Sequence, residues 1–256
     1  MSGCFIQSFA PVCCDWISLV HTYASPVAPV EAGRVLRVDR DGVVEWESPL
    51  WEEFRHASSD TSLRVRCDGL TLRAAGNIGR YGRADNLLGY TVLECVERWR
   101  DRLAFFGFCV DGFGETLRRC VEDRLLPVSS PLLECGTALT RVDLAGNFWV
   151  SDYSVLVQAM SVCRIGTRLP EEGRYGPTWG YHAKRSNWWK CKLYDKTAEL
   201  SGKRRPGGGE TMARFEVQLG SEYLKREGLS RVEGWRDSGR SEERRVGKEC
   251  RSRWSP

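Results

Sequence analysis

Within seven residues the chain places Lys190, Lys192, Tyr194 and Lys196, in the segment NWWKCKLYDK. A tyrosine oxygen set among lysines is a nucleophile suited to phosphorus, because the cations stabilise negative charge as the phosphoryl group is attacked. The alternation puts Trp188, Lys190, Lys192 and Tyr194 on one side and Trp189, Cys191 and Leu193 on the other, the pattern of a half-buried strand. Two further segments share the design. In ALTRVDLAG, Arg141, Asp143 and Ala145 oppose Thr140, Val142 and Leu144; in ARFEVQL, Arg214, Glu216 and Gln218 oppose Phe215, Val217 and Leu219. A single such strand is most often part of a one-sided sheet with a solvated face. As neighbours in one antiparallel sheet, the three would pool Arg141, Asp143, Lys190, Lys192, Tyr194, Arg214 and Glu216. Such a set holds a hard divalent cation on its carboxylates and phosphates on its cations. The chemistry this predicts is cleavage of a DNA phosphodiester by transesterification, leaving a covalent phosphotyrosine and a free hydroxyl. A neighbouring lysine is expected to favour the phenolate. Tyr181, in GYHAKRS, is the rival nucleophile on a loop. Trp188 or Trp189 is available to stack on a base, with Trp189 better suited to the core.

These residues need a scaffold. GRVLRVDRDGVVEWE and SLRVRCDGLTLRAAGN each read as a hairpin, turning at Asp41-Gly42 and Asp68-Gly69. The loop NIGRYGRADNLLGY carries Arg80 and Arg83 but matches neither a Walker A loop nor the dinucleotide fingerprint. Composition favours a solvated loop over a phosphate-contacting one. Thr91 and Glu94 form a capping box for a helix with Val92, Val96, Trp99, Leu103 and Phe106 on one face. A second helix is expected around 114–125. A third runs from Ser151 to about Cys163, burying Val155, Ala159 and Val162. EEGRYGPTWG reads as a loop, Asp195 and KTAEL as a helix start, and SGKRRPGGGE as a flexible basic linker.

Hydrophobic residues make up 41% and charged residues 28% of 256, ordinary for a globular protein. No apolar run reaches bilayer length and no signal peptide is recognised, so the expectation is a protein without a membrane partner. Eleven cysteines show no zinc spacing and read as small buried apolar residues in a reducing compartment. The net charge of +4 falls to +1 without residues 240–256, where Arg240, Arg244, Arg245, Lys248, Arg251 and Arg253 face Glu242, Glu243 and Glu249. That tail, RSEERRVGKECRSRWSP, resembles a translated sequencing adapter and is set aside from fold reasoning. The native sequence is then expected to stop near Gly239 with a C-terminal region missing. DNA binding must therefore rest on local patches.

TRVDLAGNF, KRSNWWKCKLYDKTAEL and RFEVQLGSEYLKREGLS resemble, in order, motifs of the gene II type rolling-circle replication initiators of filamentous phages. LTLRAAGNIGRYGRADNLLG resembles that family's upstream loop. The resemblance spans about 160 residues. It implies an α+β fold, a central antiparallel sheet with helices on one face, like rolling-circle initiator and relaxase nuclease domains. Residues 1–90 would form an N-terminal β-rich part and 91–239 the catalytic core. Carried over, the nicking motif falls on Ser186, Tyr194, Lys196 and Glu199, and the Arg-Phe-Glu motif on Arg214, Phe215 and Glu216. Tyr194, Lys196 and Lys192 are then the catalytic candidates. Arg141, Lys184, Arg185, Ser186, Trp188, Lys190, Arg214, Arg80 and Arg83 are the DNA-contacting ones. Many rolling-circle initiators bind metal through paired histidines, whereas His21, His56 and His182 are not so paired. Carboxylates must hold Mg2+ or Mn2+ instead, with Asp143 and Glu216 as candidates and Glu199 in reserve. The implied function is nicking and joining of a phage or plasmid origin, single-stranded or extruded, in the cytoplasm of a bacterial host, with host helicase or polymerase as further partners. The alternatives are a non-catalytic DNA-binding regulator of replication and an inactive truncated fragment.

Overall fold

A computed structural model describes residues 6–9, 11–30, 33–56, 61–119, 133–173, 176–180, 188–201 and 211–238. Its strands are β1 (Ile6–Phe9), β2 (Cys13–Thr22), β3 (Arg34–Val38), β4 (Val44–Pro49), β5 (Glu52–Arg55), β6 (Ser62–Cys67), β7 (Thr71–Gly76), β8 (Thr116–Arg119), β9 (Leu133–Val150), β10 (Glu171–Gly173), β11 (Gly176–Gly180), β12 (Trp189–Asp195) and β13 (Thr211–Gly220). The helices are α1 (Val92–Phe105), α2 (Tyr153–Met160), α3 (Lys196–Ser201), α4 (Ser221–Arg226) and α5 (Glu233–Ser238).

One large antiparallel sheet runs in the order β10-β11-β12-β13-β9-β2-β7-β6-β5, with β1 and β8 also pairing with β9. The fold is α+β, as expected. The three chemistry-bearing strands are neighbours: Tyr194 pairs with Arg214 and Lys192 with Glu216, while Arg214 pairs with Asn147 and Gln218 with Asp143. β2 then brings Trp16 opposite Asp143 across a bulge at Cys14–Trp16.

Both Asp-Gly hairpins form. In the second, Asp68 Oδ1 accepts from Leu70 N and Thr71 N, and in the first Asp39 Oδ1 accepts from Asp41 N and Val43 N, so an Asx side chain fixes each turn. α1 is capped as read, with Thr91 and Glu94 exchanging both bonds. Its Val92, Val96, Trp99 and Leu103 enter a core with Ile17, Leu19, Leu63, Leu72 and Val142. Leu224 of α4 and Trp235 of α5 join the same core. Tyr153, Leu156 and Met160 of α2 cover a second cluster of Val150, Trp179, Cys191, Leu193 and Ala213. These clusters lie on the apolar face of the sheet.

Three sequence expectations are corrected. Residues 116–119 are strand β8, not helix, because the long β9 offers a pairing edge at Leu133–Gly136; residues 120–125 lie outside the described residues. α2 is capped by Asp152, whose Oδ1 accepts from Ser154 N and Val155 N, and it ends at Met160. Ala159 and Val162 are exposed, since the half-buried stripe runs through Tyr153, Leu156 and Met160 instead. EEGRYGPTWG is a hairpin, β10–β11, extending the sheet beyond β12. The basic linker at 202–210 and the tail at 240–256 lie outside the described residues.

Candidate active site

The middle of this polar face is buried, which the alternation did not disclose, while Lys190 and Lys192 at its β12 side are exposed. Arg214 is 0% exposed and Glu216 6%, and Asp143 and Asn147 are buried beside them. A buried charge must be paired and hydrogen-bonded, and here each one is. Glu216 Oε1 accepts from the Tyr194 hydroxyl in a short hydrogen bond and from Arg214 Nε at 2.9 Å. Glu216 Oε2 meets Lys192 Nζ at 2.6 Å. The remaining nitrogens of Arg214 reach Asp15 Oδ1 at 2.7 Å, the Asn86 carbonyl at 3.0 Å and Asn147 Oδ1 at 3.3 Å.

What closes this face is the glycine-rich segment 77–90. Asn77 Nδ2 and Asn86 Nδ2 both donate to Asp15 Oδ1, at 2.9 and 2.7 Å, and Asn147 Nδ2 donates to the Leu87 carbonyl at 2.7 Å. Tyr90 bridges Cys14, continuing the sheet past the end of β7. Gly89 permits the approach, since a Cβ there would stand 2.5 Å from that of Cys13. The segment is thus a structural cover, not a solvated loop. Arg83 lies 5.6 Å from the Tyr90 ring and Arg80 is half-buried.

Burial, then the Glu216 charge, raises the pKa of Tyr194 above that of an ordinary phenol. The direction runs against the phenolate, the opposite of the lysine effect expected from the sequence. Lys192 and Lys196 nevertheless lie against its ring, 5.1 and 5.9 Å from the centroid. Burial opposes the charge on Arg214, but Asp15, Tyr194 and Glu216 outweigh it and raise its pKa. Asp143 is raised by burial, against the pull of Arg141 and with repulsion from Glu216 and Asp15.

Asp143 and Glu216 sit diagonally on adjacent strands, within reach of a common ligand. Two carboxylates on one face are the donor type that a hard divalent cation takes. Protein cations hold both acids in this structure: Arg141 grips Asp143 with Nε at 2.8 Å and a terminal nitrogen at 2.5 Å, and Lys192 holds Glu216. Glu199 is directed elsewhere, accepting from buried Lys196 Nζ at 2.6 Å. Among the described residues no group of three or more His, Cys, Asp or Glu gathers as a metal cage.

The family model for the N-terminal part of the phage gene II replication-associated protein matches residues 13–238. The chain belongs to this family. No curated protein matches it. As a gene II type rolling-circle replication initiator, it places Tyr194, Lys192, Arg214, Glu216, Asp143 and Arg141 on one face of three adjacent strands. Lys196 caps the same end, starting α3, where Asp195 Oδ1 accepts from Ala198 N. Lys190 is exposed on β12. Trp188 lies six residues from Tyr194, packed on Tyr223 of α4 and under Arg226. Tyr181, Lys184, Arg185 and Ser186 lie outside the described residues. Asp15, Asn77, Asn86 and Asn147 were not singled out by the sequence. The one signal for Asn147 was its place two residues beyond Ala145, in register with Asp143. Asp15 sits at a bulge, where period-two counting fails.

Proposed function

We propose that this initiator nicks and rejoins one DNA strand at its replication origin, with Tyr194 as nucleophile. The observation that carries the reading is the Tyr194 hydroxyl donating to a Glu216 carboxylate that Arg214 and Lys192 hold in place. Tyr194 Oη attacks the phosphorus, and its proton passes to Glu216 Oε1. The bond from phosphorus to the leaving oxygen breaks, and that oxygen takes up a proton as a free hydroxyl. No net proton is gained or lost, and one phosphodiester replaces another, so rejoining is the reverse step. Lys192 and Lys196 place positive charge where negative charge accumulates on the phosphoryl oxygens. Asp143 and Glu216 would hold Mg2+ or Mn2+, which supplies polarisation of the phosphoryl oxygens. The freed hydroxyl end is a group that a host polymerase would extend, in the cytoplasm of a bacterial host.

The test is incubation of the chain with labelled origin-like single-stranded DNA and Mg2+ or Mn2+. A covalent protein–DNA adduct is expected, absent from Tyr194→Phe and from samples treated with a chelator. If no adduct forms, or if Tyr194→Phe still forms one, the nucleophile assignment fails. Binding without cleavage would mark a regulator. An adduct that survives chelation would remove the metal from the reaction.

A further inference from the structure

The polar face does not end at Asp143. Beyond β9 it continues over β2, β7, β6 and β5, where the register puts Trp16, Ser18, Ala75, Arg73, Arg64 and Arg66 on one side. The strands β6 and β7 contribute Arg64, Arg66 and Arg73 to this side and no acid. The edge strand β5 adds Glu53 opposite Arg64, but Arg55 of the same strand pairs with that carboxylate at 3.2 Å. Arg66 and Arg73 stand directly opposite each other, a like-charge pairing that Asp68, just beyond β6, offsets in part. Two indoles interleave with the cations. Trp16 lies between Arg141 at 5.3 Å and Arg64 at 6.0 Å, and Trp51 between Arg64 at 6.0 Å and Arg66 at 4.9 Å. Both rings are partly exposed. Among the described residues the helices α1, α2, α4 and α5 supply the opposite, apolar face, so none covers this row.

We infer that the row Arg141–Trp16–Arg64–Trp51–Arg66 is a track for unpaired DNA, leading away from Tyr194 across the sheet. Flat rings that alternate with cations offer a stacking surface for bases and contacts for phosphates. Six strand-to-strand steps of about 4.8 Å separate β12 from β5, so the sheet spans roughly 29 Å across its strands between the nucleophile's strand and the far edge of the track. The face suits a single strand because both rings are partly exposed, within reach of an unstacked base; a duplex keeps its bases stacked inside. This inference rests on the nicking reading for its direction but not for its test.

Binding is measured in the Tyr194→Phe chain, by anisotropy of a labelled oligothymidine, so that it does not depend on cleavage. Trp16→Ala and Trp51→Ala are each expected to weaken binding about tenfold, and Trp51→Phe to restore most of the affinity. The pair Arg64→Gln with Arg66→Gln is expected to reduce the slope of log affinity against log salt by about 1.4, two phosphates' worth. Unchanged affinity in Trp51→Ala, an unchanged slope in the double variant, or equal competition by a duplex of the same length overturns the track. A chain that binds through this row but forms no adduct when Tyr194 is intact sinks the nicking reading alone.

Discussion

Two antiparallel strand pairs in this molecule carry the same cross-strand chemistry and differ in what covers it. In the β3–β4 hairpin, Arg34 meets Glu47 and Arg37 meets Glu45 at 2.9 Å, on a two-stranded sheet whose Val35, Leu36 and Val38 are exposed and whose Trp46 is 54% exposed. In β12–β13, Lys192 and Arg214 meet Glu216, but segment 77–90, β9 and β2 close over the group. Exposed pairs contribute little, because water and salt compete for each partner. Buried pairs are costly to break, because the survivor is left charged and dry. The covering, not the pairing, decides which arginine matters.

Arg214→Met is the harshest way to break the comparison. It strips the guanidinium from Glu216 and Asp15 and leaves the Asn86 carbonyl without its donor. The expected loss is about 3–5 kcal/mol of unfolding free energy, measured by urea denaturation, and it should be the same in about 0.5 M salt, where only exposed pairs are screened. A loss below about 1 kcal/mol would mean that the face is wetter than its geometry indicates.

This division also marks what could be read from the chain. Alternation assigned the faces of β9, β12 and β13 correctly, and Asp41-Gly42, Asp68-Gly69 and the Thr91–Glu94 box fixed two hairpins and a helix end. All of these are local patterns, complete within a dozen residues. The cover was not legible. Asp15 reaches Asn77 and Asn86 across 62 and 71 residues, and its strand bulges where it does so. The strands β8 and β10 lack any apolar alternation, and β11 alternates only through Pro177 and Trp179; what makes all three strands is an edge presented by a neighbour. Likewise Val162 has helical spacing but no surface to pack on, so the pattern overstated α2.

Asn86→Ala probes the cover itself. Asn86 Nδ2 is one of two amide donors to Asp15, so its loss should cost about 1–3 kcal/mol. Amide exchange should accelerate across 77–90 and leave the β3–β4 amides unchanged. Equal acceleration in both regions would show a global loss of stability and no separate cover.

Lys192 and Glu216 form the intermediate case, one partner 51% exposed and the other 7%. A double-mutant cycle with Lys192→Met and Glu216→Gln should give a coupling of about 1–2 kcal/mol, because a charge-assisted bond with one buried partner lies between the extremes. A coupling near zero would place Glu216 under the control of Arg214 alone.

The smallest effect belongs to the hairpin. The same cycle on Arg37 and Glu45, whose side chains are 75% and 47% exposed, should give about 0.2–0.5 kcal/mol at low salt and nothing measurable at about 0.5 M. Geometry alone would rank this pair with Lys192–Glu216, since their separations of 2.9 and 2.6 Å are similar. Only burial separates them. If the Arg37–Glu45 coupling matched that of Lys192–Glu216 and survived salt, the hairpin would have to be shielded by a surface that β3 and β4 do not themselves provide. Its exposed Val35, Leu36 and Trp46 would then be contacts for that surface.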